Sequence, residues 1–458
     1  MAVVGSLVRD PLRSIFGIHH GQQELQDQVT RQHRIRPGRS THGASRSSWC
    51  WSLALLLTLA CGEPPPAPTR FDGSVQVGIL HSRTGTMSIS EPSAAEAELL
   101  AIEEINANGG LDLNGQRIEI IPIEEDGESD WPTFARRARK LIERDQVAVI
   151  FGGWTSASRK ALLPVLEEFD HLLFYPIQYE GEECAPNVFY AGATPNQQVE
   201  PGLEWLAVQG QRRWFLIGSD YVYPRTANRL VRKKARQLGA EVVGEIYLPL
   251  GSRDVTSAIA EIRRALPEGG AIINTLNGDT NFAFFHGLAQ SGLDLHDEFK
   301  VMSFSIAEEE VSAIGPAVMA GSYAVWHFYH GSGSPESRRF EEAFVETYGL
   351  RRVTSSPAVS AYSMVHLWAI AAETAGSTDI DRVREALPGT AFESPAGRVE
   401  ITENHHLIQS ALIGRVDAAG RFERVADAGV IDPVAFNPLL ADDRIETCEW
   451  RGRGRGDR

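Results

Sequence analysis

VAVIFGGWTSASRK (147–160), LLFYPIQYEG (172–181) and RWFLIGSDYVYPRTAN (213–228) follow one pattern: a short apolar run, a mouth of aromatic and hydroxyl side chains, and the opening of a helix. Each reads as a buried strand feeding a helix. Open α/β sheets hold their ligands at that junction, outside the carboxyl ends of the strands. The mouths carry little charge, so together they predict a pocket for a small, neutral, polar molecule.

Outward from these loops, strands and helices alternate almost without interruption. VQVGIL (75–80) precedes a helix opened near Ser90 and Pro92, with Ala95, Leu99, Ile102 and Ile105 on one face and a stop at Gly109-Gly110. RIEIIPI leads to a helix after Trp131-Pro132 that turns Phe134, Ala138, Leu141 and Ile142 inward. RWFLIG restarts the same alternation, which EVVGEIYL, AIINTL and KVMSFS continue. Strand SYAVWHF (322–328), helices FEEAFVETYG and AVSAYSMVHLWAIAAETAG, strand GRVEI and the hairpin-like SALIGRVDAAGRFERV follow. The pattern predicts parallel sheets with crossover helices in two α/β lobes, and the late elements predict that the chain crosses between lobes more than once. A cleft between the lobes is the expected ligand site.

The chain has 458 residues, 43% of them hydrophobic and 23% charged, which suffices for two domains. Its net charge of −16 is uneven: residues 1–47 carry seven Arg against Asp10, Glu24 and Asp27, a balance of +4 that leaves −20 on the rest. So acidic a body argues against nucleic-acid binding, which needs clustered Lys and Arg, and the closing RGRGRGDR is too short to reverse this.

Residues 49–60, WCWSLALLLTLA, are too short for a bilayer span of ~20 residues and suit the apolar core of a signal peptide. The run ends at Thr58-Leu59-Ala60-Cys61, which resembles a bacterial lipobox with Cys61 as the lipidated first residue, although Thr58 stands where Leu is usual. GEPPPAPTR then reads as a semi-rigid spacer. Residues 1–45 lack hydrophobic periodicity; either translation starts further downstream or the leader is long. Beyond Cys50 and Cys61, the mature chain keeps Cys184 and Cys448, which could bridge in an oxidising compartment or remain two free thiols.

The candidate binding residues are polar but uncharged in the main. Trp154, Thr155 and Ser156 precede a helix, where hydroxyls and amides can donate to a carbonyl oxygen; an N-cap role for Ser156 is the structural alternative. Tyr175 and Tyr179 flank Pro176 and Gln178, and Tyr221 and Tyr223 follow Asp220. TLNGDTN (275–281) adds Asn277 and Asp279 as acceptors for N–H groups, and SFSIAEEE adds Ser303 and Ser305. Arg159 and Arg225 fall past the helix starts, so a carboxylate-bearing ligand lacks an evident clamp. Such a lining suits urea or a short amide. The sequence has no G-x-x-x-x-G-K-[ST], G-x-G-x-x-G after a strand, G-x-S-x-G or H-E-x-x-H, so no catalytic residue and no cofactor is expected. Cys184 has no adjacent activating base, and His327, His330, His405 and His406 lack the company of a metal site, so none is assigned.

GILHSRTGTMSISE, EDGESDWPTFARRARKLI, FGGWTSASRKALLPV, FYPIQYEGEECAPN, GATPNQQVEP, GSDYVYPRTAN and NTLNGDTN, in that order, resemble the urea-binding proteins of ABC transporters and their relatives, the short-chain amide sensors of amidase operons. The resemblance runs from about residue 74 to 435. It implies a type 1 periplasmic-binding-protein fold: two Rossmann-like lobes, a three-segment hinge and an interlobe cleft. The pocket it implies draws on Trp154, Thr155, Ser156, Tyr175, Tyr221 and Tyr223, with Asn277, Asp279 and Ser305 from the second lobe. The amide sensor looks to have Tyr at the position of Trp154 and Thr at that of Ile177. The division expected is leader 1–60, linker 61–73, first lobe 74–193 and 323–392, second lobe 194–322 and 393–445, and tail 446–458. The function implied is capture of urea or a short amide outside the cytoplasmic membrane by a lipid-anchored receptor that serves permease subunits. A cytoplasmic amide-sensing regulator and a branched-chain amino-acid-type binding protein are the alternatives.

Overall fold

The computed structural model describes residues 70–441, apart from 294, 296 and 297, together with Cys448; the leader, Cys61 and most of the linker lie outside the described residues. β1 (Gly73–His81) runs through the middle of the first sheet, which is why VGILH is buried throughout. α1 (Glu91–Ala107) covers it, followed by β2 (Leu111–Leu113), β3 (Gln116–Asp126), α2 (Trp131–Glu143), β4 (Ile150–Gly152), α3 (Ser156–Phe169), β5 (Leu173–Tyr175) and β6 (Val188–Tyr190). The order is β2-β3-β1-β4-β5-β6, parallel except for the β2–β3 hairpin. β2 pairs only with the start of β3, so β3 is an edge strand by the time it reaches Pro122, where the missing N–H costs no ladder bond.

The second lobe repeats the unit with α4 (Val199–Val208), β7 (Arg213–Ser219), α5 (Val222–Gln237), β8 (Glu241–Leu248), α6 (Thr256–Ala265), β9 (Gly270–Thr275), α7 (Thr280–Ser291), β10 (Phe299–Ser303), α8 (Glu308–Ile314), α9 (Pro316–Met319) and β11 (Tyr323–Trp326). The chain returns to the first lobe as α10 (Pro335–Tyr348), α11 (Ser356–Ala375) and α12 (Ile380–Ala386), then forms β12 (Ala391–Ser394), β13 (Gly397–Ile401), β14 (Leu407–Val416) and β15 (Phe422–Ile431). The second sheet reads β12-β13-β14-β11-β10-β9-β7-β8, with β15 on the other side of the β14 ladder. α11 is apolar all round and almost wholly buried; Ala358, Ala361, Ala371 and Ala372 join Ala94, Ala97 and Ala101 of α1 in one first-lobe core. Among the described residues no helix is long and apolar enough to cross a membrane.

Two boundaries differ from the sequence division. β11 hydrogen-bonds to β10 and β14, so 323–326 belongs to the second sheet and the return to the first lobe begins after Trp326. The β12–β13 hairpin is laddered to β14, yet Val399, Ile401 and Leu407 are buried in the first-lobe core; the last crossing therefore runs along β14 itself and not near 393.

The crossings are stitched together by the NQQ of GATPNQQVEP. Gln197 Nε2 donates to Leu407 O and Ile431 O, both at 2.8 Å, and Gln198 Nε2 donates to Val325 O at 2.8 Å. Gln197 also caps its own turn, its Oε1 accepting from Thr194 N at 3.1 Å. The C-terminal segment lies over the same place: Glu182 N donates to Ala435 O at 2.7 Å, and Asn437 Nδ2 to Glu200 Oε1 at 2.7 Å. Of the two thiol alternatives, the bridge is the one formed: Cys184 and Cys448 are disulfide-bonded across 264 residues, with their Cα atoms 5.6 Å apart.

Candidate functional site

The first-lobe candidates lie on the loops after β4 and β5. Thr155, and not Ser156, caps α3: its Oγ1 accepts from Ser158 N at 3.0 Å and contacts Ser158 Oγ at 3.1 Å. Ser156 occupies the first helical position, where its hydroxyl donates to Glu180 and accepts from Arg159 Nη1 at 3.2 Å. Tyr175 donates its phenol proton to Trp154 O. These first-lobe hydroxyls, read from sequence as donors to a ligand carbonyl, thus spend their protons inside the wall. Trp154, Thr155, Ser156 and Tyr175 are all buried.

Behind that wall lies a charge that was not anticipated. Arg159 is fully buried one turn into α3, its Nε donating to Glu183 Oε1 at 2.7 Å and its Nη2 reaching Glu180 Oε1 at 3.3 Å. The guanidinium carbon sits 4.8 Å from the ring centroid of Tyr175 and 4.7 Å from that of Tyr179. Burial alone pushes the Glu183 carboxyl up, but the Arg159 guanidinium, with help from Lys160 at 2.6 Å, prevails and holds it at about 2. For Arg159 itself, burial works against the charge and Glu183 and Glu180 outweigh it, so its pKa rises.

The second wall comes from the loops after β7, β9 and β10. Tyr221 stands at the N-cap position of α5 in extended backbone and carries no cap bond; its ring lies 6.4 Å from that of Tyr223 and 6.4 Å from that of Trp131 on the first lobe. Tyr221, Tyr223 and Ala227 share a small apolar cluster with Ala157 of α3. Ser305 Oγ accepts from Gln178 Nε2 at 3.1 Å, and the same nitrogen donates to Phe304 O at 2.8 Å, which joins the two lobes directly. Gln178 Oε1 is buried with no donor, and the buried Tyr223 Oη finds no acceptor for its own proton. Burial raises the Tyr223 pKa, and the adjacent Ser305 and Gln178 side chains pull it back part of the way.

The structure therefore gathers Trp154, Thr155, Ser156 and Tyr175 on one wall, and Tyr221, Tyr223 and Ser305 on the other. Asp279 meets the turn after β1, its N 3.2 Å from Thr86 O with Gly278 adjoining Thr86 and Met87, whereas Asn277 N donates to Ser219 Oγ at 3.0 Å within the second lobe. Ile177 packs into the first-lobe core. Three participants escaped the sequence reading. Gln178 was visible only as a neighbour of Pro176, Trp131 only as a helix opener, and Arg159 only as a cation past a helix start; the acidic run at Glu180, Glu182 and Glu183 was the signal that Arg159 needed a buried partner. Nearby, Phe189 stacks on His405 at 4.1 Å and Tyr190 on His406 at 4.4 Å, so these two histidines serve packing. Among the described residues no group of three or more His, Cys, Asp or Glu is placed to hold a metal ion.

Comparison with known proteins adds the following. The sequence model of a family described as periplasmic binding protein domain matches residues 75–441. A Leu/Ile/Val-binding protein homolog of Brucella abortus is 22% identical over 354 residues, which covers 75% of this chain and 88% of that protein. Among solved structures, a solute-binding protein of an ABC transporter from Rhodopseudomonas palustris, in complex with 3,4-dihydroxybenzoic acid, superposes with a TM-score of 0.69 at 22% identity, covering 79% of this chain and 98% of that one. A branched-chain amino-acid transporter substrate-binding protein from Streptococcus pneumoniae, in complex with isoleucine, gives a TM-score of 0.68 at 18% identity over 79% of this chain and 100% of that one. At these identities the superpositions speak for the fold.

Proposed function

We propose, from the premise that this chain belongs to the periplasmic binding protein domain family, that it captures urea or a short primary amide between its lobes and hands it to the permease of an ABC transporter. The observation that carries the choice of ligand is the state of Arg159. It is a fully buried cation on the helix that follows the first of these loops, and two buried carboxylates already take up its charge. A benzoate or an amino acid brings a carboxylate that must find its own donors, because a buried ion without a partner is heavily penalised. A neutral amide makes no such demand. Tyrosines, an indole and hydroxyls around a small cleft suit it.

Export and anchoring complete the reading. The apolar run at 49–60 and Cys61 support a receptor tethered outside the cytoplasmic membrane, in contrast to a cytoplasmic regulator, and closure of the lobes over ligand would present both to the permease. The amino-acid-type alternative rests on the names of relatives that bind isoleucine or are called Leu/Ile/Val-binding homologues.

Isothermal titration of the purified protein with urea, acetamide, formamide, isoleucine and benzoate decides among these. At a ceiling of about −1.5 kcal/mol per heavy atom, urea with its four heavy atoms gains roughly −6 kcal/mol, so saturation in the tens of micromolar is expected. Tyr221→Ala should weaken that binding without unfolding the protein. Heat released only by isoleucine or benzoate would remove urea and the amides from consideration.

A further inference from the structure

Gln178 sits in the first lobe two residues beyond Pro176 and is 4% exposed. Its amide nitrogen crosses the cleft to Phe304 O at 2.8 Å and Ser305 Oγ at 3.1 Å, at the end of β10. A backbone carbonyl can only accept, so this amide cannot be flipped: the nitrogen faces Phe304 and Oε1 faces the other way. There Oε1 is buried with no donor, and Tyr223 Oη, 3% exposed, has the Gln178 amide and Ser305 beside it as donors but no acceptor for its own proton. An acceptor without a donor, beside a phenol proton without an acceptor, is costly in a buried site, and native proteins leave few of them without reason. The pair is the complement of an N–H adjacent to a C=O.

We infer that Gln178 is a specificity-determining residue of the cleft: Gln178 Oε1 and Tyr223 Oη take the N–H and the C=O of a urea or primary amide, while Gln178 Nε2 fastens the second lobe over that ligand through Phe304 and Ser305. The inference rests on the ligand being a neutral amide, as proposed above. It links selection and closure in one side chain, because the face of the amide that reads the ligand is oriented by the bond that joins the lobes. Ser156 contributes only a spare lone pair, since its own proton goes to Glu180.

The test is titration calorimetry with urea and acetamide on wild type, Gln178→Leu and Gln178→Glu, each at pH 7.5 and pH 5, with isoleucine and benzoate as control solutes. At pH 7.5 both variants should bind at least about tenfold more weakly, the consequence of losing one buried hydrogen bond. Gln178→Glu carries the decisive readout. Ionised, it can only accept and repels Phe304 O; protonated at pH 5, a state favoured by burial, it donates again and should recover most of the lost affinity while wild type changes less than about twofold. Recovery specific to Gln178→Glu supports the assignment, and a general loss of packing would not produce it. Wild-type affinity in either variant, or a loss in Gln178→Glu that pH 5 leaves untouched, overturns it while the amide reading stands. A wild-type protein silent to urea and acetamide but responsive to a control solute overturns the amide reading, and this inference with it.

Discussion

Arg159 enters α3 one turn after Ser156 and holds together the 154–159 and 175–183 segments through its carboxylate and tyrosine partners. Its two carboxylates are held at 2.7 and 3.3 Å in surroundings that exclude water, so the triad is strong only while complete. Arg159→Met should lower unfolding free energy by up to about 3–5 kcal/mol in urea-free guanidinium titrations, since it leaves the buried Glu180 and Glu183 with only the partly exposed Lys160 as a counter-charge. Glu183 also gives a pH signature. Its folded pKa of about 2 lies below the ordinary carboxyl value of 4.5, so its stabilisation is present above pH 4.5 and disappears as pH falls through 2. The stability gap between wild type and Glu183→Gln should therefore shrink by roughly 3 kcal/mol between pH 5 and pH 2, about 1.4 kcal/mol for each unit of displacement. Little of this was legible in sequence. Periodicity locates Ser156 and Arg159 on one helix, but only tertiary packing brings the 180–183 loop against it, and only burial turns an ordinary salt bridge into a support for a pocket.

At the scale of elements, reading was far easier, and for a definite reason. The strands VQVGIL and RWFLIG are buried over most of their length and therefore nearly pure in apolar residues, whereas α2 shows its face through Phe134, Ala138, Leu141 and Ile142, all buried as expected. What periodicity could not supply was ownership: β11 looks like a first-lobe strand until its ladder to β10 and β14 is seen. The candidate loops also depend on backbone that sequence alone does not display. Gly152 ends β4 at φ 136°, and a Cβ there would fall on Leu80 O of the neighbouring strand. Gly152→Ala should consequently part β1 from β4 and shift Trp154, with a loss of several kcal/mol, of the order of a residue forced into forbidden backbone plus an overpacked core. Thermal unfolding followed by circular dichroism, paired with ligand titration, measures both effects; an unchanged midpoint would mean that the sheet yields at no cost.

For the molecule as a whole, the disulfide and the crossings restrain the same region. Cys184 follows Glu183 directly, so the bridge to Cys448 ties the C-terminal end to the loop that anchors Arg159. It closes 264 residues. Reduction, or Cys448→Ser, should lower stability by about 2–5 kcal/mol, read as a drop in the thermal midpoint in dithiothreitol that the oxidised protein does not show. Gln197 and Gln198 then remain to hold β11, β14 and β15 in register at the hinge.

The threading of the chain also has a consequence in time. α11 fills the first-lobe core, and Val399, Ile401 and Leu407 complete it, yet the sheet they cover is finished by Tyr190. A chain that emerges from its N-terminal end must carry the part of that face not covered by α1, and the exposed side of α1 itself, through the synthesis of almost the entire second lobe, and cannot bury them until residues 356–375 appear. Contacts of such long sequence separation slow folding and lengthen the exposure of apolar surface. The second lobe, whose strands β7 to β11 arrive in one continuous run, is free to order first, so the wall bearing Tyr221 and Tyr223 would stand ready before the wall bearing Trp154 is secure.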